Sequence, residues 1–206
     1  MINEFSRTEL LLGAEGISRL KNSSVAVFGV GGVGSYTAEA LARSGIGNIT
    51  LIDNDTVNVT NINRQIIALQ STVGMLKTEA AKARILDINP NCNVTLHSCF
   101  YTGNEFPLDE FDYIADAIDS VTSKLNLIEN AIKRIGKIFS ARVDFSQLSS
   151  KYPALVNGEN PNIFNPEMAT GCLMDLGIYN IYFALYYFGK PEKITSTCLK
   201  LDTGAD

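Results

Sequence analysis

The sequence predicts an α/β protein of the doubly wound class, in which a mostly parallel sheet carries helices on both faces. Short apolar runs rich in Val and Ile alternate with segments of helical periodicity from about residue 10 to residue 135. A glycine-rich turn joins the first apolar run to the helix after it, and an acidic residue ends the second run. Alternation of this kind requires parallel strands that are connected by covering helices.

Within the first 135 residues, the predicted elements follow one another as strand and helix. The first strand is a Val-rich run, and Gly45 and Pro90 end the two helices that come next. The last helix has Leu125 and Ile132 on one apolar face. The predicted helices span residues 10–21, 36–43, 73–88 and 122–135, and the predicted strands span residues 24–29, 48–53, 94–97 and 113–115.

The pattern of polar and apolar residues changes after Gly136. Residues 138–145 alternate between polar and apolar side chains, which predicts a half-exposed strand. A polar loop rich in Asn and Pro follows, then an aromatic-rich helix over residues 172–188 and a strand over residues 193–201. We therefore expect two parts, a doubly wound domain in residues 1–135 and a partial α/β segment in residues 136–206.

The amino-acid composition of the chain excludes several classes of protein. The 206 residues carry 17 Lys and Arg against 22 Asp and Glu, a net charge of −5, and 46% are hydrophobic. That apolar share supports a buried core and excludes a disordered chain, while the acidity argues against a strongly basic nucleic-acid binder. The single histidine, His97, excludes a metal site with several histidines. The N-terminus lacks a signal-peptide pattern, so a cytoplasmic protein is expected.

The glycine-rich turn predicts nucleotide binding. Gly29, Gly31, Gly32 and Gly34 lie between a strand and a helix, where glycines let the backbone approach a phosphate at the helix N-terminus. Asp53 ends the next strand, where a carboxylate can accept hydrogen bonds from ribose hydroxyls. The alternative is a turn that only packs the helix against the strand. Taken alone, the pattern favours NAD.

The residues after Asp53 favour a triphosphate instead. Asn61, Arg64 and Lys77 supply donors and positive charge shortly after the ribose acid. Attack at the α-phosphorus of a triphosphate builds negative charge that Arg and Lys stabilise. Asp119 follows a predicted strand and can hold the magnesium ion that accompanies the phosphates.

Residues from about 7 to 133 resemble the ubiquitin-activating-like superfamily of adenylating enzymes, which includes ThiF and MoeB. Within it they look most like the tRNA threonylcarbamoyladenosine dehydratases. The motifs that carry the resemblance are GVGGVGSYTAEALARSGIGNITLIDNDTVNVTNINRQI, VGMLKTE, INPNC and DAIDSVTSK.

The resemblance implies a role for each predicted site residue. Phosphates would lie against the glycine turn, the ribose against Asp53 and the polyphosphate against Asn61, Arg64 and Lys77. Arg7 would reach the ATP site of a partner subunit in a homodimer. A solvated surface charge is the alternative for Arg7 and for Asp55. The expected nucleotide-binding set is Gly29, Gly31, Gly32, Gly34, Asp53, Asp55, Asn61, Arg64, Gln65 and Lys77, and the expected catalytic set is Arg64, Lys77 and Asp119, with Asp119 at the metal.

The implied reaction is ATP-dependent adenylation of a carboxylate, with ATP and Mg²⁺ bound. In the resembling dehydratases this carboxylate belongs to a threonylcarbamoyl group on a tRNA adenosine, and a nitrogen of the same group then closes a ring with loss of AMP. Such an intramolecular closure requires no enzyme nucleophile, because proximity supplies much of the rate.

Residues 136–206 depart from this family and resemble the C-terminal domain of Gfo/Idh/MocA-type oxidoreductases, through the D-L-G-I-Y stretch from Asp175 to Tyr179. That resemblance keeps open an NAD(P)-dependent oxidoreductase, although the family's E-K-P lysine motif does not occur. A nucleotide-binding module without turnover is the third hypothesis. The join suggests a chimera, whether by fusion, recombination or gene-model error. Asp175 and Tyr179 are either orphaned active-site residues or core and surface positions.

Overall fold

The computed structural model describes residues 3–135, 137–138, 140–144, 149–168, 171–201 and 204. The chain divides into two compact units, Met1–Ile138 and Phe139–Asp206. None of the described helices is both long enough and apolar enough to cross a membrane.

The first unit contains a four-stranded parallel sheet with the strand order β3-β2-β1-β4. The chain runs outward from β1 through β2 to β3 and then returns to place β4 on the other side of β1. Such a reversal leaves a crevice at the carboxyl ends of the two strands where the order switches, and ligands of open α/β sheets bind there. The strands are β1 (Ser24–Phe28), β2 (Asn48–Ile52), β3 (Asn93–His97) and β4 (Tyr113–Asp116).

Helices cover both faces of this sheet, which confirms the predicted fold class. Because side chains alternate along a strand, Val25 and Val27 of β1 face one core while Ala26 and Phe28 face the other. The first core includes apolar residues of the second and third helices, and the second includes Leu127 of the fourth. The helices of this unit are α1 (Ser6–Asn22), α2 (Gly34–Ser44), α3 (Lys77–Ile88) and α4 (Val121–Arg134).

The predicted starts of two helices in this unit are wrong: α1 begins at Ser6, four residues before the predicted start, and α3 begins four residues after it. The sequence predicted a helix from Val73, whereas α3 begins at Lys77. A 3₁₀ turn (Gln70–Thr72) and a bend precede it, and Leu76 forms an isolated antiparallel bridge with Thr56. The N–H of Lys77 donates to the backbone oxygen of Asp55 at 3.0 Å. These bonds bring the start of α3 to the carboxyl end of β2.

Helices and helical turns are the regular elements of the second unit among its described residues, and turns and irregular segments connect them. The unit contains α5 (Tyr152–Val156), a π-helical turn (Leu173–Gly177) and α6 (Ile178–Phe188), so the predicted aromatic-rich helix is present. The strand predicted over residues 193–201 is wrong, because these residues form no strand. Within the stretch 138–145, residues 138 and 140–144 also form none, and Phe139 and Phe145 lie outside the described residues. An alternation of polar and apolar residues indicates which side chains are exposed. A strand also requires a neighbouring backbone with which it can form hydrogen bonds.

Candidate functional site

A cavity of about 390 Å³ opens at the carboxyl ends of the first unit's strands. Its walls come from the glycine turn after β1, the loop after β2, the first residue of α3 and the loops on either side of β4. Gly34 and Arg7 are the predicted site residues that do not line it. The predicted residues that do are Gly29, Gly31, Gly32, Asp53, Asp55, Asn61, Arg64, Gln65, Lys77 and Asp119.

The glycines of the turn have two different physical roles. A Cβ at Gly34 would lie 1.8 Å from the backbone oxygen of Gly29, and a Cβ at Gly29 would lie 2.6 Å from that of Ala117. Gly29 also has a φ of +83°, which L side chains rarely adopt. Around Gly31 and Gly32, by contrast, the nearest atom to an added Cβ is 3.7 Å away. The first pair shapes the turn, and the second leaves room for a ligand.

Asp53 is fixed at the entrance to the turn by two backbone donors. Its Oδ2 accepts the N–H of Val30 at 2.6 Å, and its Oδ1 accepts the N–H of Asp55 at 2.8 Å. Its side chain is only 9% exposed. These bonds tie the end of β2 to the glycine turn. They therefore hold a carboxylate in a defined position beside the start of α2, whose N-terminal N–H groups attract anions.

Lys77 brings a buried positive charge to the same place. Its side chain is 8% exposed, and its Nζ lies 2.6 Å from Oδ2 of Asp55 and 3.9 Å from Oδ1 of Asp53. Asp55, with a side chain that is 58% exposed, faces water as well as the lysine. The pairing accounts for the burial of an ammonium group, which is rarely buried without a partner.

The segment after the short 3₁₀ turn Val59–Asn61 adds further polar groups. The buried Asn61 accepts the N–H of Asn58 with its Oδ1 at 2.8 Å. Arg64 is exposed, and its Nη1 donates to the backbone oxygen of Thr60 at 2.8 Å. Gln65 is 6% exposed, and its Oε1 has no hydrogen-bond partner among the described residues. A buried amide oxygen that borders a cavity is available to a donor on a ligand.

Asp119 lies on the turn between β4 and α4 and is exposed at the cavity. Asp116 holds this turn, because its Oδ1 accepts the N–H of Ile118 at 3.0 Å and its Oδ2 pairs with Nζ of Lys124 at 2.6 Å. Within the part of the chain that the structure describes, no three His, Cys, Asp or Glu residues cluster into a metal site. Asp119 is thus a single carboxylate at the cavity and not part of such a cluster.

The apolar part of the cavity wall was missed by the sequence reasoning. It includes Phe28, Cys99, Phe100, Tyr101 and Ile118. Three of these lie in the loop after β3, which has no periodicity to mark it. The available signal was the Phe-Tyr pair just beyond β3, since the carboxyl ends of parallel strands lie at one edge of a sheet.

The remaining candidates do not line the cavity. Arg7 is exposed on the first turn of α1. His97 stacks on Phe106 with ring centroids 4.5 Å apart. Tyr179 is 64% exposed on α6, and the side chain of Asp175 lies outside what the structure describes.

Comparison with known proteins gives two family matches that overlap. The sequence profile of the ThiF family matches residues 5–162, and that of the GFO/IDH/MocA C-terminal domain matches residues 128–206. Both resemblances predicted from the motifs are thus confirmed. The boundary between the two parts at residue 135 stays a prediction, because the matches share residues 128–162.

Individual relatives point to the same family. The chain is 52% identical over 139 residues to a tRNA threonylcarbamoyladenosine dehydratase of Bacillus subtilis, a match that covers 65% of this chain and 54% of the relative. It is 46% identical over 117 residues to the enzyme of that name from Haemophilus influenzae, covering 55% and 45% of the two chains. The chain therefore spans about half the length of the curated relatives it matches.

A solved structure shares the fold. The crystal structure of Escherichia coli tRNA N6-threonylcarbamoyladenosine dehydratase in complex with ATP has a TM-score of 0.62 and 44% sequence identity with this chain. The match covers 64% of this chain and 56% of that one. With the parallel sheet, the glycine turn and a family profile that spans most of the sequence, the chain belongs to the ThiF family.

Proposed function

We propose that the protein uses ATP to adenylate a carboxylate, and that the carboxylate is the threonylcarbamoyl group on a tRNA adenosine. One observation carries the proposal: Lys77, Arg64 and Asp119 line the same cavity as the glycine turn. Two cations, Arg64 and Lys77, and an exposed carboxylate, Asp119, in addition to Asp53 and Asp55, suit a triphosphate with a divalent ion better than a nicotinamide. The choice of acceptor is based on the names of two relatives, which are both tRNA threonylcarbamoyladenosine dehydratases.

In this proposal the nucleotide lies across the carboxyl ends of the strands. The ribose hydroxyls donate to Asp53, which is held by two backbone N–H groups. The phosphates lie against Gly31 and Gly32, where there is space for a ligand and where α2 begins. Arg64 and Lys77 then neutralise the charge that develops when the α-phosphorus is attacked. Gln65, with its buried and unpartnered oxygen, accepts a hydrogen bond from the bound nucleotide.

Magnesium fits Asp119. Mg²⁺ is usually held by one or two carboxylates together with substrate phosphates and waters, and Asp119 is a single exposed carboxylate at the cavity. When bound, the ion would withdraw charge from the phosphate oxygens. The residues of this chain would fix where the phosphates lie.

The proposed chemistry balances without an enzyme nucleophile. A carboxylate oxygen bonds to the α-phosphorus as the bond to the bridging oxygen of pyrophosphate breaks. A nitrogen of the threonylcarbamoyl group then attacks the activated acyl carbon, loses its proton and expels AMP. Cys99 is the cysteine among the cavity-lining residues, and burial, with the charge of Glu105, raises the pKa of its thiol. A thiol that stays protonated is a poor nucleophile, so direct ring closure is the better assignment.

We also propose a homodimer in which Arg7 reaches the partner's ATP site. Arg7 lies on the same helix as Leu10 and Leu11, each 86% exposed, just before a kink at Gly13. Exposed leucines next to an exposed arginine suit burial against a second copy of the chain. With tRNA and ATP as substrates, the protein would act in the cytoplasm.

A module that binds the nucleotide without turnover is the second candidate. It is favoured because residues 128–206 match the C-terminal domain of a different family. The match of residues 128–206 to the GFO/IDH/MocA C-terminal domain also favours an NAD(P)-dependent oxidoreductase. The charged residues of the cavity, Arg64, Lys77 and Asp119, argue against that function.

Two measurements decide between these functions. Calorimetry with ATP–Mg²⁺ and with NADH tests the first against the oxidoreductase, and binding of NADH alone would contradict our proposal. ATP–pyrophosphate exchange, measured with and without tRNA that carries the threonylcarbamoyl group, tests turnover. Exchange that needs the modified tRNA supports the proposal, and ATP binding without any exchange favours the module.

A further inference from the structure

The loop after β3 gives the cavity an aromatic wall. Tyr101 is 3% exposed and packs edge-on against Phe28, with ring centroids 4.9 Å apart. Its neighbour Phe100 is 52% exposed and lines the cavity. One aromatic ring therefore anchors the loop in the core while the next leaves part of its surface to the cavity.

Glu105 organises this loop through its carboxylate. It accepts the N–H of Thr102 at 2.8 Å, that of Gly103 at 3.0 Å and that of Asn104 at 3.1 Å, and it also accepts the hydroxyl of Thr102. Burial opposes ionisation of this group, but the bonds from Thr102 and Gly103 outweigh it and lower the pKa of Glu105 to about 2. The carboxylate is thus charged throughout the physiological range.

Two amides of α4 attach the same loop to the sheet's second core. Nδ2 of Asn126 donates to the backbone oxygen of Thr102, and Nδ2 of Asn130 donates to that of Gly103, both at 2.9 Å. The two asparagines are one helical turn apart and so face the same way. Gly103 has a φ of +121°, and a Cβ there would lie 2.8 Å from Nδ2 of Asn130. The two hydrogen bonds from the asparagines hold the loop against α4. We call Glu105, Asn126 and Asn130 the clasp.

We infer that Phe100 is the stacking surface for the purine base of the bound nucleotide, and that the clasp residues Glu105, Asn126 and Asn130 are positioning residues that hold it there. The inference rests on the proposed function for the presence of an adenine nucleotide. The charged side chains of the cavity account for the sugar and phosphates, and the base, flat and weakly polar, needs an aromatic face.

Tyr101 and Leu108 anchor the two ends of this loop in the second core, and the clasp fixes the polar stretch between them. Thr102, Asn104 and Glu105 are exposed, so hydrophobic burial contributes little to their position. Without the clasp, the loop would have to be ordered when the base binds, and that entropy cost would be subtracted from the affinity. The clasp residues are not among those that line the cavity, so we expect them to act on binding of the base through Phe100 and not on binding of the phosphates.

The test compares two ligands that differ by the nucleoside. Calorimetry measures the Kd of ATP–Mg²⁺ and of tripolyphosphate–Mg²⁺ for the wild type, for F100A, for F100Y and for the double variant N126A/N130A. N93A is the matched control, since Asn93 is exposed on β3, is bonded to Asn48 and does not line the cavity. Phe100 is half exposed, so its truncation leaves no cavity in the core.

We expect F100A to raise the Kd of ATP about tenfold, as expected for the loss of one base-stacking contact, and F100Y to restore it. The double variant should raise the Kd of ATP several-fold, while all variants bind tripolyphosphate as the wild type does. Equal weakening of both ligands, or unchanged ATP binding, would overturn the inference. Failure of the wild type to bind ATP would overturn the proposed function and this inference together, whereas lack of exchange activity alone leaves the binding comparison intact.

Discussion

Replacing Lys77 by methionine would separate the structural role of this residue from its role in ATP binding. Methionine keeps an unbranched apolar stem of similar length but removes the ammonium group. The change would leave Asp53, with a side chain that is 9% exposed, without the charge 3.9 Å from its Oδ1. Asp55 would lose a partner at 2.6 Å. The site would then hold two carboxylates and no cation between them.

The cost can be worked from these distances. Two unit charges at about 4 Å attract by about 4 kcal/mol at an effective dielectric constant of about 20, and desolvation of the ammonium offsets part of this. Removing one partner of a fully buried pair costs about 3–5 kcal/mol. Because Asp55 is 58% exposed and Asp53 keeps two N–H donors, we expect about 2–3 kcal/mol, a lower Tm by about 5–10 °C.

Urea unfolding and calorimetry together measure both roles. K77M should lower the urea midpoint without ligand and raise the Kd of ATP–Mg²⁺ by about 10- to 100-fold, since hydrogen bonds to charged groups contribute about 1.5–3 kcal/mol. K82M is the matched control: Lys82 lies on the same helix and has no ion pair among the described residues. It should change neither quantity.

A double-mutant cycle with D55N tests the electrostatic reasoning. If the unpaired carboxylates cause the loss, D55N should restore part of the stability of K77M while leaving its ATP affinity low. A midpoint for K77M equal to that of the wild type would refute the structural part of the reasoning. An unchanged Kd for ATP would refute the proposed contact with the phosphates.

Three further predictions test other parts of the molecule. G34A should disrupt the turn, since its Cβ would lie 1.8 Å from the oxygen of Gly29; circular dichroism melting should show a large loss of stability, and a wild-type melt would contradict this. D119N should keep the wild-type Tm because Asp119 is exposed, yet lower pyrophosphate exchange by at least about 100-fold; wild-type exchange would remove its role. Hydrogen bonds lower the pKa of Glu105 from its ordinary 4.5 to about 2, so its contribution to stability is complete above about pH 5 and disappears as the pH falls towards 2. In E105Q, the free energy of unfolding should change less between about pH 5 and pH 2 than in the wild type. The same pH dependence in E105Q and the wild type would exclude the effect.

The strands of the first unit and most of the cavity's polar residues could be predicted because their signals are local. A Val-rich run buries both of its faces, and Gly34 and Gly29 occupy positions where no Cβ fits. Asp53 ends β2, so the fold places it at the cavity as soon as β2 is a strand. The start of α3 was not predictable in the same way. It depends on the bridge between Thr56 and Leu76, a tertiary contact that periodicity does not report.

The aromatic wall of the cavity could not be predicted from the sequence either. Phe100 and Tyr101 lie in a loop whose position depends on Glu105 and on two asparagines of α4, more than twenty residues further along the chain. No spacing rule connects these residues. Hydrogen bonds from a helix to loop carbonyls leave no periodic trace in the sequence, and only the structure could identify them.

The lining of the cavity is confined to the first unit. Every residue that lines the nucleotide cavity lies between Phe28 and Ser123, inside the first unit. Residues 128–206 match the C-terminal domain of a different family, and residues 128–162 of this stretch match the ThiF profile as well. Our proposal therefore assigns nucleotide binding to residues of the first unit and assigns the choice of acceptor to no described residue. A protein with an intact nucleotide cavity and an altered second part should still bind ATP with the affinity that Asp53, Lys77 and Arg64 provide, whichever carboxylate it activates.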